Sequence, residues 1–331
     1  MSNNKDFKVK NGIQPTVYHE GLGTVVSGSV GYSLAGASYD SKSFSVATQD
    51  GTPFSLFFKP TGDVLYVLGY SNDTVYQYTL STAWDISTAN YASKSFSVTS
   101  QDATPYQIFF KPDGTKMYMV GTTSDAVYQY SLSTAWDIST ASYDSISFSV
   151  SSQETAPTGL WFKDDGTKMY IYGQISNDFF QYSLSTAWDL STASYDSVSY
   201  AATAVETGNR NMCIVNSGYE LFTVGADTDT IYQHTMSTAW DLSTASYSGN
   251  SFSVTSQDTN PAGLFFKSDG TKMYMVGITN DTIYQYSTAL TTASLDLSSG
   301  SVFDYAPTSD VQVTLSNPAA SGTVSGATLL L

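Results

Sequence analysis

The sequence predicts an all-β protein, a five-bladed β-propeller of 52-residue repeats, and three observations predict it. Trp84, Trp136, Trp188 and Trp240 follow one another at a constant interval of 52 residues, without insertion or deletion. Each unit divides into four short strand-like segments separated by turn chemistry. Helical periodicity is absent, and four antiparallel strands repeated every 40 to 50 residues or so are the pattern of one propeller blade.

Cutting at Ala37 gives five units, 37–88, 89–140, 141–192, 193–244 and 245–296. In the second unit the segments are SKSFSVT, YQIFFK, KMYMVG and AVYQYSL. In propeller lettering YQIFFK is the innermost strand A, KMYMVG is B and AVYQYSL is C; the outermost strand D is the next unit's SxSFSV segment. A and B are joined through Pro112-Asp113-Gly114-Thr115, where aspartate can close an Asx-turn and glycine can take a positive φ. Strand B ends at Gly121 and is followed by a polar turn centred on Asp125, with Asp73, Asn177, Asp229 and Asp281 at the matching positions.

The offset between repeat and blade predicts how the ring closes. The first SKSFSVA, Ser41 to Ala47, has no A-B-C set before it, and the last A-B-C set has no D after it, so the two should pair. Closure removes the exposed ends of an open repeat array. Leu56, Ile108, Leu160, Met212 and Leu264, with Phe58, Phe110, Phe162, Ile214 and Phe266, should fill the space between blades. The domain plan is an N-terminal attachment arm (1–36), the propeller (37–296) and a C-terminal assembly segment (297–331). KDFKVKNG in the first arm reads as a short strand with an Asn-Gly turn. VQVTLS, Asn317-Pro318 and GTVSGATLLL in the second read as a hairpin whose apolar last strand, ending at Leu329-Leu330-Leu331, is covered by the N-terminal arm or by another protein. The arms are thus expected to carry oligomerisation, as a homo-oligomer, or attachment to other proteins.

Composition excludes several functions. The chain of 331 residues carries 29 acidic against 13 basic side chains, a formal charge of −16, and its single arginine is Arg210, so a phosphate-binding surface is not expected and neither is nucleic acid. Cys213 is the single cysteine, which rules out an intrachain disulfide and a cysteine-built metal centre. No stretch reaches the length of a membrane span, and the lysines near the start precede no apolar signal core. His19 and His234 are the only histidines, and His234 stands where Tyr78, Tyr130, Tyr182 and Tyr286 stand, so it reads as a packed ring. No catalytic set emerges, and the expectation is a non-enzymatic protein with no required cofactor.

Three candidate sites remain. Asp50, Asp102, Glu154, Glu206 and Asp258 share one repeat position just before strand A and would ring one mouth of the central channel, where calcium would suit them; alternatively each accepts hydrogen bonds from amides of its own loop. Arg210, in the fourth unit's divergent NRNMCIV, would lie near that mouth as a ligand anchor or counter-ion, or as drift in one blade. Trp84, Trp136, Trp188 and Trp240, in the STAWDIST connection between C and D, are either plugs in the seam beside each blade or glycan-stacking platforms. The aspartate after each tryptophan can cap a single helical turn. The fifth copy, STALTTASLD, lacks both residues.

FFKPDGTKMYMVG with DAVYQYSL resembles the propeller repeats of the YVTN and NHL type. The longer cassette VYQYSLSTAWDISTASYDS, with KDFKVKNG and VTLSNPAASGTVSGATLLL at the two ends, resembles virion structural and tail-fibre-like proteins of marine tailed bacteriophages. That resemblance implies a virion part, attached through its terminal arms to other virion proteins, that displays a propeller towards a host-surface glycan or protein. The alternatives are a secreted or surface lectin-like adhesin, located outside the cell, and a propeller glycosidase using channel-mouth carboxylates.

Overall fold

The computed structural model describes residues 25–26, 32–202, 205–206, 208–289, 292–296 and 312–316. Five four-stranded antiparallel sheets stand around an axis. Blade one comprises Pro53–Phe58, Val64–Gly69, Thr74–Leu80 and Ala89–Ser97 as strands A to D, and blade two Pro105–Phe110, Lys116–Gly121, Ala126–Leu132 and Ala141–Ser149. Blade three is Pro157–Phe162, Lys168–Gly173, Asp178–Leu184 and Ala193–Ala201; blade four is Asn209–Val215, Glu220–Gly225, Thr230–Met236 and Ala245–Ser253. Blade five takes A, B and C from Pro261–Phe266, Lys272–Gly277 and Thr282–Ala289, and its D from Ser33–Ser45. The five A strands contact one another in a closed circuit, blade five against blade one included. The protein is a five-bladed β-propeller, closed as the sequence predicts.

The closing strand is longer than the predicted Ser41–Ala47, and it moves two boundaries. Residues 33–36, assigned to the arm, belong to blade five, while Thr292–Asp296, assigned to the propeller, pairs outside it with Val25–Val26 and Gln312–Ser316. The last pairing is parallel, so within the described residues VQVTLS is joined to 292–296 and not to a hairpin partner. KDFKVKNG and GTVSGATLLL lie outside the described residues.

Each blade buries its own apolar face against the next. The ten predicted interblade residues are all at most 2% exposed. Phe110 stacks on Tyr66 of the preceding blade with ring centroids 4.2 Å apart, and Phe162 on Tyr118 at 4.4 Å. Polar stitches run along the same seams. Gln77 Oε1 accepts the Ile138 amide at 2.9 Å, Gln129 accepts Leu190, Gln181 accepts Leu242, Gln233 accepts Leu34 and Gln285 accepts Ile86. All five glutamines are buried, so each bond satisfies groups that water cannot reach.

The tryptophans occupy these seams. Trp136 turns through a φ of +64°, its N–H donates to the Gly114 carbonyl at 3.1 Å, and its ring lies where a Cβ on Gly114 would be, 2.4 Å from the indole atoms. It packs on Phe110 of its own blade, 5.9 Å away, and on Tyr66 of the neighbour, whose hydroxyl donates to the Trp136 carbonyl at 2.6 Å. Asp137 then accepts from the Ser139 amide and caps the single 3-10 turn Ile138–Thr140. Blades one, three and four repeat the arrangement with Trp84, Trp188 and Trp240.

Blade five fills the same seat with Tyr32. This residue has a φ of +64°, its backbone N stands 2.9 Å from where a Cβ on Gly270 would be, and its hydroxyl donates to the Ser268 carbonyl. The partner hydroxyl is missing in step: the position of Tyr66, Tyr118, Tyr170 and Tyr274 is Phe222 at this seam. Asp40 completes the copy, bonding Lys272, Gln285 and Ser287 as Asp144 bonds Lys116, Gln129 and Ser131.

His234 is fully buried, and Tyr200 Oη lies 3.0 Å from its Nδ1. In the other four blades a tyrosine here donates to a glutamine, as Tyr78 does to Gln49; blade four has Val205 in place of that glutamine and Tyr200 in place of Phe44, Phe96, Phe148 and Phe252. Burial pushes the imidazole pKa down to about 4. Above pH ~6.5 both folded and unfolded chains hold it neutral; below that the unfolded chain takes up a proton that the folded one refuses. Stability should therefore fall by about 3 kcal/mol between pH ~6.5 and ~4 and level off below. Urea unfolding of the native chain and of His234→Tyr across that range checks this, the variant lacking the imidazole contribution.

Candidate functional site

The two faces of the ring differ. The A to B turns and the tryptophan connections share one face. On the other, the loops from D to A meet the turns from B to C, because the buried carboxylates link them. Asp50 accepts from the Thr52 amide at 2.8 Å, Ser71 at 3.3 Å and Asn72 at 3.0 Å. Asp102 accepts from Thr104, Thr123 and Ser124, and Asp258 from Asn260, Thr279 and Asn280. Glu154 binds Ala156 and Ser176, and Glu206 binds Gly208 and Thr228. Each acid packs on the glycine that ends strand B, as Asp102 does on Gly121.

Of the two readings of these acids, a cation ring and acceptors in their own loops, the hydrogen bonds match the second. The five acids do recur around one end of the channel, but each is 1 to 4% exposed and directed at amides of its own blade. Among the described residues no three acidic, histidine or cysteine side chains are grouped to hold a metal ion. The B to C turns do open on this face. Asp125 and Asp281 have carboxyl pKa values raised by burial and then by neighbouring acids, Glu154 and Asp102 in one case, Asp50 and Asp258 in the other.

The channel is closed by side chains. Phe57, Phe109, Trp161, Cys213 and Phe265 share one strand A position, all buried. Phe57 lies 5.3 Å from Phe109, 5.2 Å from Phe265 and 6.5 Å from Trp161, rings of three other blades. Cys213, whose thiol pKa burial pushes well above its usual value, is thus packing in this plug, opposite in size to Trp161. One layer nearer the acidic face, Gln107 spans from blade two to Met212 of blade four, donating to its carbonyl at 2.8 Å and accepting the Leu160 amide at 2.9 Å.

Above this layer the blades stop being alike. Strand A begins with a bulge in every blade: Pro53 pairs with Gly69 and Ser55 with Leu68, leaving Phe54 outside the ladder. Tyr106, Thr158, Arg210 and Ala262 are the bulged residues of the other four. A bulge re-aims a side chain, and these five gather at the mouth. Phe54 packs on Tyr106 and Tyr70, each 4.8 Å away. The Arg210 guanidinium crosses from blade four to lie 5.8 Å above the Phe54 ring, within cation–π range, and its Nη1 donates to Asn260 Oδ1 of blade five. Burial lowers the guanidinium pKa, while Tyr106 and Asp227 oppose that shift.

Arg210 thus stands at the mouth, as the sequence expects, but in aromatic company that the sequence reading missed. A signal existed: position 54 and its equivalents run Phe, Tyr, Thr, Arg, Ala, and the next position runs Ser, Gln, Gly, Asn, Gly, in a repeat whose core positions stay apolar. The tryptophans are on the opposite face, half-buried against the core, so they and Arg210 do not form one site.

No family model matches the chain, and no curated protein matches it in sequence. Solved structures do match in fold. One is a Bacteroides uniformis protein provisionally named a 6-phosphogluconolactonase, 13% identical, with a TM-score of 0.42 over 61% of this chain and 55% of that one. Another is the periplasmic gluconolactonase of Pseudomonas aeruginosa, 12% identical, with a TM-score of 0.39 over 56% and 50%. A third is the β-propeller domain of Myceliophteria thermophila Cps50 (Swd1), 9% identical, with a TM-score of 0.44 over 76% and 100%. The chain spans about half the length of the two lactonases. Proteins named as lactonases are among the matches, and the non-enzymatic reading drawn from the sequence finds no support in them. The likeness itself extends to the fold alone.

Proposed function

We propose that this chain is a display module, a five-bladed propeller held through its flanking segments in a virion, as part of a tail fibre or capsid surface, with its channel-mouth face presented to a host-surface glycan or protein. The observation that carries this reading is where the chain enters and leaves the ring. It enters at Tyr32 against the Gly270 turn. It leaves after strand C of blade five, where the Thr288 amide donates to Thr271 and its hydroxyl to Gly270. Both crossings are on the A to B turn face, and segments from the two flanks pair in one small sheet, Val25 opposite Leu295. A mount on that side leaves the Arg210 face clear. The cassette and end motifs that resemble tail-fibre-like proteins support the virion setting, in which the flanks would bind other virion proteins and further copies of this chain.

Quantitative mass spectrometry of purified virus particles tests the proposal. The chain should copurify with the particles at a fixed ratio to their major structural proteins. Recovery in the cell-surface fraction, with none in particles, would instead favour the adhesin reading.

A further inference from the structure

Hydrogen-bond donors converge at the channel mouth. Arg210 carries five N–H donors in a planar fork, of which one is directed at Asn260. Thr158, in the same ring of bulged residues, is fully buried, and its Oγ1 has no hydrogen-bond partner. Asn211, one layer down, is 1% exposed; its Oδ1 accepts the Leu264 amide at 3.4 Å while Nδ2 has no partner. A buried polar group without a partner is costly, and these two, at the strand A bulge of blade three and next to that of blade four, leave hydrogen-bonding capacity unmet in these two blades at this end of the channel. Tyr70 and Tyr106, both half-buried with rings 5.8 Å apart and inclined at 66°, form an apolar corner around Phe54.

We infer that this mouth binds a small carboxylate carried on a ring with an apolar face, a sugar acid being the matching class, with Arg210, Thr158 and Asn211 donating to the carboxylate and the tyrosines packing on the ring. A guanidinium meets a carboxylate through two parallel hydrogen bonds, which a neutral sugar cannot accept in the same way. Thr158 Oγ and Asn211 Nδ2 supply donors from beneath, and aromatic rings suit the C–H face of a pyranose. The inference depends on the proposed display role only in needing this face open, and whether the chain belongs to a virion does not enter it.

Calorimetric titration of the full chain with sodium glucuronate, glucose and inorganic phosphate tests it. Glucuronate should bind saturably with a Kd of about 1 mM, and glucose at least about tenfold more weakly. Arg210→Gln should weaken glucuronate binding by about tenfold or more. Thr158→Val replaces an unpartnered hydroxyl by a methyl, so it should hold or raise Tm while weakening glucuronate. No saturable glucuronate binding, glucose bound as well, or phosphate bound as tightly would each overturn the assignment. So would a folded Arg210→Gln with native affinity, and if that variant does not fold, native affinity in Thr158→Val does the same. Particle mass spectrometry is unaffected by any of these results, so the inference and the display role can fail separately.

Discussion

Replacing Trp136 by alanine is expected to cost about 3 kcal/mol, in the range for removal of a large packed aromatic, and to lower Tm by about 6 °C for a domain of this size. The indole fills the seam between blades one and two, with Gly114 beneath it, Phe110 on one side and Tyr66 on the other. Alanine would leave that seam open, because Gly114 has no side chain to move into it. It would keep the positive φ of 64°, a conformation that disfavours any residue with a Cβ, so no relief of strain offsets the loss. Trp136→Phe should retain more than half of the stability difference. Thermal unfolding followed by circular dichroism measures both, and a shift below about 2 °C for the alanine variant would return the tryptophans to the glycan-platform reading.

Asp102→Ala should be comparably destabilising, by about 3 kcal/mol. The carboxylate accepts from the amides of Thr104, Thr123 and Ser124 and from the Thr104 hydroxyl, and thereby fastens the loop before strand A to the turn after strand B. Removing it leaves three part-buried hydrogen bonds without their acceptor, and hydrogen bonds to a charged group are the strong ones. Asp102→Asn keeps the shape and one acceptor oxygen, and should recover part of the loss. Chemical unfolding with and without calcium separates this role from a cation site. The same midpoint shift is expected in both conditions; a native chain stabilised by calcium and a variant that is not would restore the ring as a metal site.

The period, the four strands, the interblade residues and the closure were legible because they depend on apolar spacing and turn residues, which the repeat displays five times. Tyr32 was not, although the signal was present. GYSLAGASYD is a fifth copy of the AWDISTASYD cassette, with Tyr32 and Asp40 eight residues apart as Trp136 and Asp144 are. Tyrosine for tryptophan and Ser33 for the capping aspartate hid it, and a cut at Ala37 ran through it. The acids were placed on the right face, with a cation and the amides of their own loops both left open as partners. Identical spacing shows that five carboxylates surround an axis, and it does not show whether they point inward or into their own loops. Arg210 could be located from the sequence, whereas its platform could not. Phe54 and Tyr106 reach the mouth through a one-residue bulge, and nothing in a strand's alternation announces that a residue has left the ladder. The VQVTLS strand was recognised, but its parallel partner is 20 residues away in sequence, Thr292 opposite Gln312, beyond what a hairpin signal can report.

Closure through Ser33–Ser45 underlies everything else, since it completes the ring, seats Tyr32 in the fifth seam and brings both flanks out on one face. Hydrogen exchange read by mass spectrometry tests it most directly. Amides of residues 38–45 should be protected to the same degree as those of the equivalent strands Ala89–Ser97 and Ala141–Ser149, and the partner strand Thr282–Ala289 should match Thr74–Leu80. Rapid exchange in 38–45 together with an unprotected outer edge on Thr282–Ala289 would mean an open ring, and would contradict the account.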